Sequence, residues 1–224
     1  AAGFFVVQVK FLTFIVIGNR ADSHKIPQLR KAADVVHHQK LATMSRIGYF
    51  LIFFFSTSLF AQGQFADSLK KQLLRDWTRS KEYTLEYLKT MPADKYAYKP
   101  QDSIRSFAQQ MIHMAQGTVS LMEAATGNKI PSIINRQNLE NISSATSKDS
   151  VTYFITLSYD YAIEALQHFE MSNSYEHVIR GTFDVTRLGW MFKAFEHQAH
   201  HRGQTTIYLR SLGIKPPNER LFDN

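Results

Sequence analysis

Four long stretches of this sequence repeat apolar residues at steps of three and four, and this pattern limits what the chain can fold into. They run from about 67 to 90, 103 to 126, 146 to 171 and 186 to 212. Such steps place side chains on one face of an α-helix. The sustained alternation of apolar and polar residues that is typical of β-strands is weak in this sequence. We therefore predict an all-α protein, and four long helices without a repeat signature indicate a four-helix bundle.

Local signals set the predicted ends of these helices. Asp67 is a candidate N-cap of the first helix, and the pair Thr146 and Asp149 resembles a capping box for the third. Gly127 is predicted to end the second helix, and Gly213 the fourth. The segments between the helices, 130–145 and 172–185, are predicted to be connections without long strands.

The fourth predicted helix is apolar on more than one face, which is typical of a largely buried helix. One side carries Leu188, Met191, Phe192 and Phe195, and the other carries Trp190, Ala194 and Tyr208.

The segment 44–63 resembles a secretory signal peptide. Met44-Ser45-Arg46 gives a short basic start, an apolar run follows, and Ala61-Gln62-Gly63 offers small residues for cleavage near Ala61 or Gly63. The alternative is an uncleaved membrane anchor, although the run is short for a span. We expect cleavage, export to the periplasm or the outside, and no stable membrane anchor afterwards.

Residues 1–43 are predicted to lie outside the fold. They show a second apolar run and then a polar stretch without a sustained period. Our hypothesis is that they are upstream sequence translated from a misplaced start, and the alternative is a genuine targeting extension. His24, His37 and His38 fall in this segment and are discounted as ligands.

Charge and the absence of cysteine exclude several functions. Residues 1–61 hold seven basic and two acidic residues, which leaves 19 basic and 17 acidic residues for 62–224. A domain with a net charge of only +2 has no evident nucleic-acid footprint. Because the chain contains no cysteine, disulfides, zinc–thiolate sites and cysteine nucleophiles are excluded. Any metal must be bound by His, Asp or Glu.

The pair His197 and His201 is the most informative feature of the fourth predicted helix. Residues four apart lie one turn apart on the same face, so both imidazoles can reach one metal ion. His200, about 60° around the helix from His197 and about 100° from His201, is predicted to be a flanking residue. The alternative is that the two are surface or hydrogen-bonded histidines, as most such pairs are.

A third ligand has to come from another helix. The candidates within the domain are His113, His168 and His177. His113 lies mid-helix beside Gly117 and Ser120, small residues that would let a partner helix approach. One observation weighs against His113: on an ideal helical wheel it lies at the edge of the apolar stripe of its helix, a position that fits a site at the margin of the bundle and does not fit a deep one. The other two candidates fall near a helix end and in a loop.

Two motifs resemble the signatures of the DinB-like superfamily over about residues 65–217. The specific one is Phe195-x-His197-x-Ala199-x-His201-Arg202-Gly203-Gln204-x-x-x-Tyr208-Leu209-Arg210-x-Leu212-Gly213, and the looser one is Ser106-Phe107-Ala108-x-x-Met111-x-His113-x-Ala115. The resemblance implies a four-helix bundle, often dimeric, with a three-histidine metal site. It also implies that His113, His197 and His201 are the metal ligands.

The resemblance also implies a range of functions. Members include thiol-dependent transferases and isomerases, and many proteins without an assigned reaction. We expect a divalent transition metal (Zn, Ni or Fe) and a metal-dependent transferase or hydrolase that acts on a small molecule. A homodimer is a further expectation, and a nucleic-acid partner is not expected. The alternative function is a non-catalytic metal-binding or dimeric scaffold protein of the cell envelope. Glu196 and Gln204 lie beside the histidines, and we assign a catalytic role to neither.

Overall fold

A computed structural model describes the backbone of residues 26–222, and within 26–62 it describes side chains at some positions only. The expectation for 1–43 falls partly on residues 1–25, which lie outside the described residues. The chain divides into two units, 1–61 and 62–224. Among the described residues, we find no helix with a stretch both long and apolar enough to span a bilayer.

The described residues are mostly helical. The long helices are α1 (Ile26–Thr90), α2 (Phe107–Thr126), α3 (Lys148–His168) and α4 (Arg187–Ser211). Short 3-10 helices cover Ala93–Lys95, Leu139–Asn141, Ser143–Ala145 and Met171–Tyr175. The strands β1 (His177–Arg180) and β2 (Phe183–Thr186) pair antiparallel between α3 and α4.

The first helix is longer than predicted. It begins at Ile26, so the prediction of Asp67 as its N-cap is wrong, whereas its end at Thr90 is confirmed. The backbone of the predicted signal peptide, 44–63, lies in this helix, and the side chains of 51–62 lie outside the described residues. The signal peptide therefore stays a prediction.

Helices α2 and α4 end at the two glycines that the sequence predicted. Gly127 has a φ of 78° and caps α2, and Gly213 has a φ of 73° just beyond α4. Only glycine adopts this left-handed region without a steric penalty. Both predicted stops are confirmed.

The starts of α2 and α3 differ from the prediction by a few residues. The N-cap of α3 is Ser147, whose side chain accepts a hydrogen bond from the Ser150 amide, so the Thr146–Asp149 capping box is wrong. The Thr146 hydroxyl instead donates to the carbonyl of Ser143. A capping box does form on α2, from Ser106 and Gln109.

We predict that Ser106→Ala will lower the free energy of unfolding by about 1 kcal/mol, because it leaves the Gln109 amide without its acceptor. Chemical denaturation of both proteins measures this difference. Ser211→Ala removes a serine from the exposed end of α4 and serves as the control. Equal midpoints for Ser106→Ala and the wild type would contradict the prediction.

The connection between α3 and α4 contains a β-hairpin that the sequence pattern did not predict. Arg180 pairs with Phe183, so Gly181 and Thr182 form a two-residue loop. Gly181 has a φ of 60°, as the first central residue of a type II′ turn requires. The indole of Trp190 donates to the carbonyl of Val178 at 3.1 Å and ties the hairpin to α4.

The core of residues 62–224 lies between the four long helices. Helix α2 packs against both α3 and α4. Helix α1 joins them through polar contacts: Thr84 meets Tyr159 of α3 at 2.7 Å, and Tyr87 meets Thr206 of α4 at 2.9 Å. The largest fully buried side chains are Trp77, Leu88, Met91, Phe107, Met111, Ile112, Met114, Met122, Ile134, Leu139, Ile155 and Tyr159.

Helix α4 is less buried than predicted. Trp190, Met191 and Ala194 are buried, but Phe192 is 50% exposed and Ile207 is 57% exposed. A single face of α4 therefore contacts the core. Polar residues occupy part of that face, among them Gln198, Arg202 and Thr205.

Candidate metal centre

Three histidines from two helices meet at one point. His113 comes from α2, and His197 and His201 come from α4. One nitrogen from each ring can be chosen so that all three lie within 4.8 Å of one another. The ring centroids of His197 and His201 are 4.3 Å apart, and that of His113 lies 5.5 Å and 4.6 Å from them. The structure thus brings together the three residues predicted as ligands.

Helix packing explains this convergence. The four-residue spacing puts His197 and His201 on the same face of α4, and α2 is the helix packed closely along that side. All three rings are partly buried. The cluster lies at the margin of the packed helices, as the position of His113 on its helix had suggested.

Gly117 is the residue that lets α4 approach α2 at this point. A Cβ atom at position 117 would lie 2.9 Å from Nδ1 of His197, and closer still to Cε1 and Nε2 of the same ring. Real Cβ atoms do not approach so closely, so any larger residue would displace the imidazole. Gly117 therefore makes room for one member of the cluster.

A carboxylate faces the first ring. Oε2 of Glu140 lies 3.8 Å from Nδ1 of His113 and accepts a 2.8 Å hydrogen bond from Nε of Arg105. Metal-binding histidines usually direct their second nitrogen at such a group, which orients the ring and increases its basicity. With Nδ1 facing Glu140, Nε2 of His113 is the nitrogen left for an ion.

Two glutamine amides surround the third ring. Oε1 of Gln204 lies 3.1 Å from Nδ1 of His201 and can accept its proton, which leaves the lone pair on Nε2. The amide nitrogen of Gln110 lies 2.6 Å from the same Nδ1 and also bonds to Gln204. Nδ1 of His201 therefore either donates to Gln204 or accepts from Gln110, according to its tautomer, because rotating the Gln110 amide would set its oxygen against Oε1 of Gln204. The amide nitrogen of Gln204 lies 3.0 Å from Nε2 of His200, on the outer side of the cluster.

The second ring contains a buried atom without a partner. Nδ1 of His197 is buried and has no hydrogen-bond partner among the described residues. An unpaired buried polar atom is costly. Three imidazole nitrogens are a suitable donor set for zinc, nickel, iron or copper, so the residues present fit a divalent transition metal.

Burial favours the neutral form of all three rings. It is the main cause that lowers the pKa of His197 to about 4, and charge on His201 or His113 lowers it further. Burial, followed by charge on His113, lowers the pKa of His201 to about 4, while the hydrogen bond with Gln204 opposes this shift. Burial also lowers the pKa of His113. Neutral imidazoles have the free lone pairs that a metal requires.

We predict that the metal-free protein becomes less stable as the pH falls from 6.5 to 4. The unfolded chain binds protons on these histidines near pH 6.5, whereas folded His197 and His201 bind them only near pH 4. In this window the unfolded state binds more protons, so the free energy of unfolding decreases with decreasing pH.

Urea denaturation in chelator at several pH values measures this trend. The double variant His197→Asn/His201→Asn, which cannot take up these protons, should show a shallower decrease. Identical pH profiles for the variant and the wild type would refute the assignment.

A cavity of about 700 Å³ opens beside the cluster. His201, Gln110 and Gln204 form one part of its lining, and Glu140 and Arg105 form another. The remaining lining residues are Lys99, Asp102, Ser103, Ile104, Gln109, Asn141, Ile207 and Tyr208. A volume of this size holds a small molecule, and the lining is chiefly polar.

The other residues weighed from the sequence lie apart from the cluster. His168 ends α3, and His177 of β1 pairs with Asp184 at 2.8 Å. Glu196 pairs with Lys193 at 2.8 Å. None of the three is among the ligand atoms that converge.

Sequence reasoning missed three polar residues around the cluster: Gln110, Glu140 and Arg105. Gln110 lies three residues before His113, and this helical spacing could have revealed it. Glu140 and Arg105 are on connections, whose position relative to the helices no periodic pattern fixes.

Comparisons with known proteins agree with this architecture. The model of the DinB family matches residues 63–223. A comparison with curated proteins returned no match.

Several solved structures share the fold. A DinB-like protein from Bacillus cereus has a TM-score of 0.57 at 18% identity, over 66% of this chain and 96% of its own. A DinB-like protein from Bacillus subtilis has a TM-score of 0.51 at 17% identity, over 67% and 96%. A conserved protein from Enterococcus faecalis has a TM-score of 0.50 at 15% identity, over 64% and 97%. With a family model matched over most of its length and the same helical fold, this chain belongs to the DinB family.

Proposed function

We propose that the four helices of residues 65–217 form a DinB-like four-helix bundle that binds one divalent metal ion through His113, His197 and His201. We further propose that this centre is a metal-dependent transferase or hydrolase for a small molecule. The observation that carries the proposal is the convergence of three imidazoles beside an open cavity. A closed structural site has four protein ligands, whereas the cluster found among the residues that the structure describes consists of three histidines.

The chemistry of such a centre is well defined. His113, His197 and His201 would hold a zinc, nickel or iron ion, which would supply a nucleophile near neutral pH by lowering the pKa of water or of a thiol.

Residues of this chain would prepare the site for that chemistry. Gln204 and Gln110 lie within hydrogen-bond distance of Nδ1 of His201, and the Glu140 carboxylate faces Nδ1 of His113 at 3.8 Å, beyond hydrogen-bond distance. The Glu140 carboxylate also lines the cavity, where it can accept a proton from a bound substrate or water. Arg105 holds this carboxylate in place.

The location is a second part of the proposal. Segment 44–63 carries the features of a signal peptide, so we propose that the mature protein is exported. An exported location favours a hydrolase, or a transferase that does not use a cytosolic thiol. N-terminal sequencing of the native protein tests this: a mature start just after the predicted cleavage near Ala61 or Gly63 is expected, and a start at or before Met44 would contradict it.

The experiment for the centre uses the full-length protein. Elemental analysis should find close to one zinc, nickel or iron ion per chain, and treatment with a chelator should remove it. Turnover is then measured on a panel of esters, amides, phosphoesters and thiol acceptors with each metal restored. Activity that depends on the metal supports the enzyme. Stoichiometric metal without turnover favours a non-catalytic scaffold, and a chain that binds none of these metals overturns both.

A further inference from the structure

Arg202 is a buried cation without a carboxylate partner among the described residues. Its side chain is 8% exposed. Nη1 donates to Oε1 of Gln198 at 2.7 Å, to Oγ1 of Thr84 at 3.2 Å and to the carbonyl of Ser80 at 3.4 Å. The guanidinium also lies over the ring of Tyr83, 4.6 Å from its centroid. Every one of these partners is neutral, although burying a charge is costly unless it is compensated.

The same acceptors are linked to one another. The hydroxyl of Tyr159 donates to Oε1 of Gln198 at 2.7 Å and lies 2.7 Å from Oγ1 of Thr84. The hydroxyl of Thr84 donates to the carbonyl of Ser80 at 2.8 Å. Arg202 and Gln198 thereby connect α4 to α1 and α3 through one buried network.

This network lies one residue away from each of the two histidines on α4. Gln198 follows His197, and Arg202 follows His201, so each network residue is about 100° around the helix from a ring. The histidines face α2, whereas the network faces α1 and α3. The histidine contacts and the network contacts therefore lie on different sides of α4.

The rotation of α4 decides whether the rings can meet His113. Side-chain tips lie about 5–6 Å from a helix axis, so a rotation of about 20° moves them by about 2 Å. That is the length of a zinc–nitrogen bond, about 2.0–2.1 Å. A small rotation would thus separate the donor atoms.

We infer that Arg202 is a positioning residue that fixes the rotation of α4 and so holds His197 and His201 in register with His113. The inference rests on the proposed metal centre. Arg202 does not touch the ion; it acts through Gln198, Thr84 and Tyr159.

Removing Arg202 leaves no partner stranded. Gln198 Oε1 keeps Tyr159, and the Ser80 carbonyl keeps Thr84. Replacing a buried charge by an apolar side chain of similar size is often neutral or stabilising when no opposite charge is left behind. Arg202→Met should therefore affect metal binding far more than it affects folding.

The test measures three quantities on the full-length protein. Zn²⁺ affinity is obtained by competition with a chelator, the Co²⁺ form gives an absorption spectrum of the ligand geometry, and denaturation of the metal-free form gives its stability. Arg210→Met is the matched control, because Arg210 is exposed on the same helix. Tyr159→Phe removes a different member of the network.

We expect Arg202→Met to weaken Zn²⁺ binding by about 10–100-fold, the usual effect of losing a group that orients a ligand, and to change the Co²⁺ spectrum. Tyr159→Phe should show a smaller change in the same direction, and Arg210→Met none. Wild-type affinity and spectrum in a folded Arg202→Met protein would overturn the inference alone. If Arg202→Met does not fold, unchanged binding by Tyr159→Phe overturns it. A wild-type chain without metal overturns the proposed function as well.

Discussion

His201→Ala should weaken the affinity of the full-length protein for Zn²⁺ by at least about 100-fold. Loss of a group that merely orients a ligand already costs about 10–100-fold, and this variant removes the ligand itself. Two imidazoles would remain, that of His113 on α2 and that of His197 on α4. Competition with a chelator of known affinity measures the change, and elemental analysis of the purified variant should find little metal.

The matched control is His200→Ala. His200 is the neighbouring residue, is exposed, and contacts the cluster from outside, through Gln204 and through the edge of the His201 ring at 5.0 Å between centroids. Its loss should leave the affinity within a few-fold of the wild type, as expected for the outermost member of a hydrogen-bond chain. If both variants bind Zn²⁺ as tightly as the wild type, the assigned ligands are wrong.

Gly117→Ala should reduce metal affinity by at least about tenfold, comparable to losing a group that orients a ligand. The new methyl group would overlap the His197 ring, whose Nδ1 would be only 2.9 Å away. The imidazole must then leave its position. Folding should suffer much less, since alanine favours a helix over glycine by about 1 kcal/mol.

Gly203→Ala is the control for this prediction. Gly203 is exposed on α4, and a Cβ there would have no atom within 4 Å. This variant should gain up to about 1 kcal/mol of stability and keep the wild-type affinity. Zn²⁺ affinity and urea denaturation are measured for both proteins. A Gly117→Ala protein that binds like Gly203→Ala would show that the ring needs no space at position 117.

The parts of the fold that local chemistry determines were predictable from the sequence. The ends at Thr90, Gly127 and Gly213 depend on stop signals within a few residues. The starts were less predictable, because adjacent polar residues compete as caps: Ser147, not Thr146, caps α3. The hairpin has strands of four residues, which are too short for a clear alternating pattern.

The candidate site was likewise predictable only in part from the sequence. A four-residue spacing on one helix brought out His197 and His201, and family resemblance added His113. The supporting groups Glu140 and Arg105 are 35 residues apart in the chain, and only the packed structure brings them together. A helical wheel could not predict the rotation of α4 about its axis, because it does not show that Phe192 faces solvent.

The shallow position of the three imidazoles has a consequence for how an ion would be acquired. Each ring keeps part of its surface in solvent, so loading and release require no opening of the hydrophobic interior. Nitrogen donors alone follow the general affinity order of first-row metals and impose little preference of their own. Supply in the surrounding compartment, more than any selectivity built into the protein, would then decide which element occupies the centre.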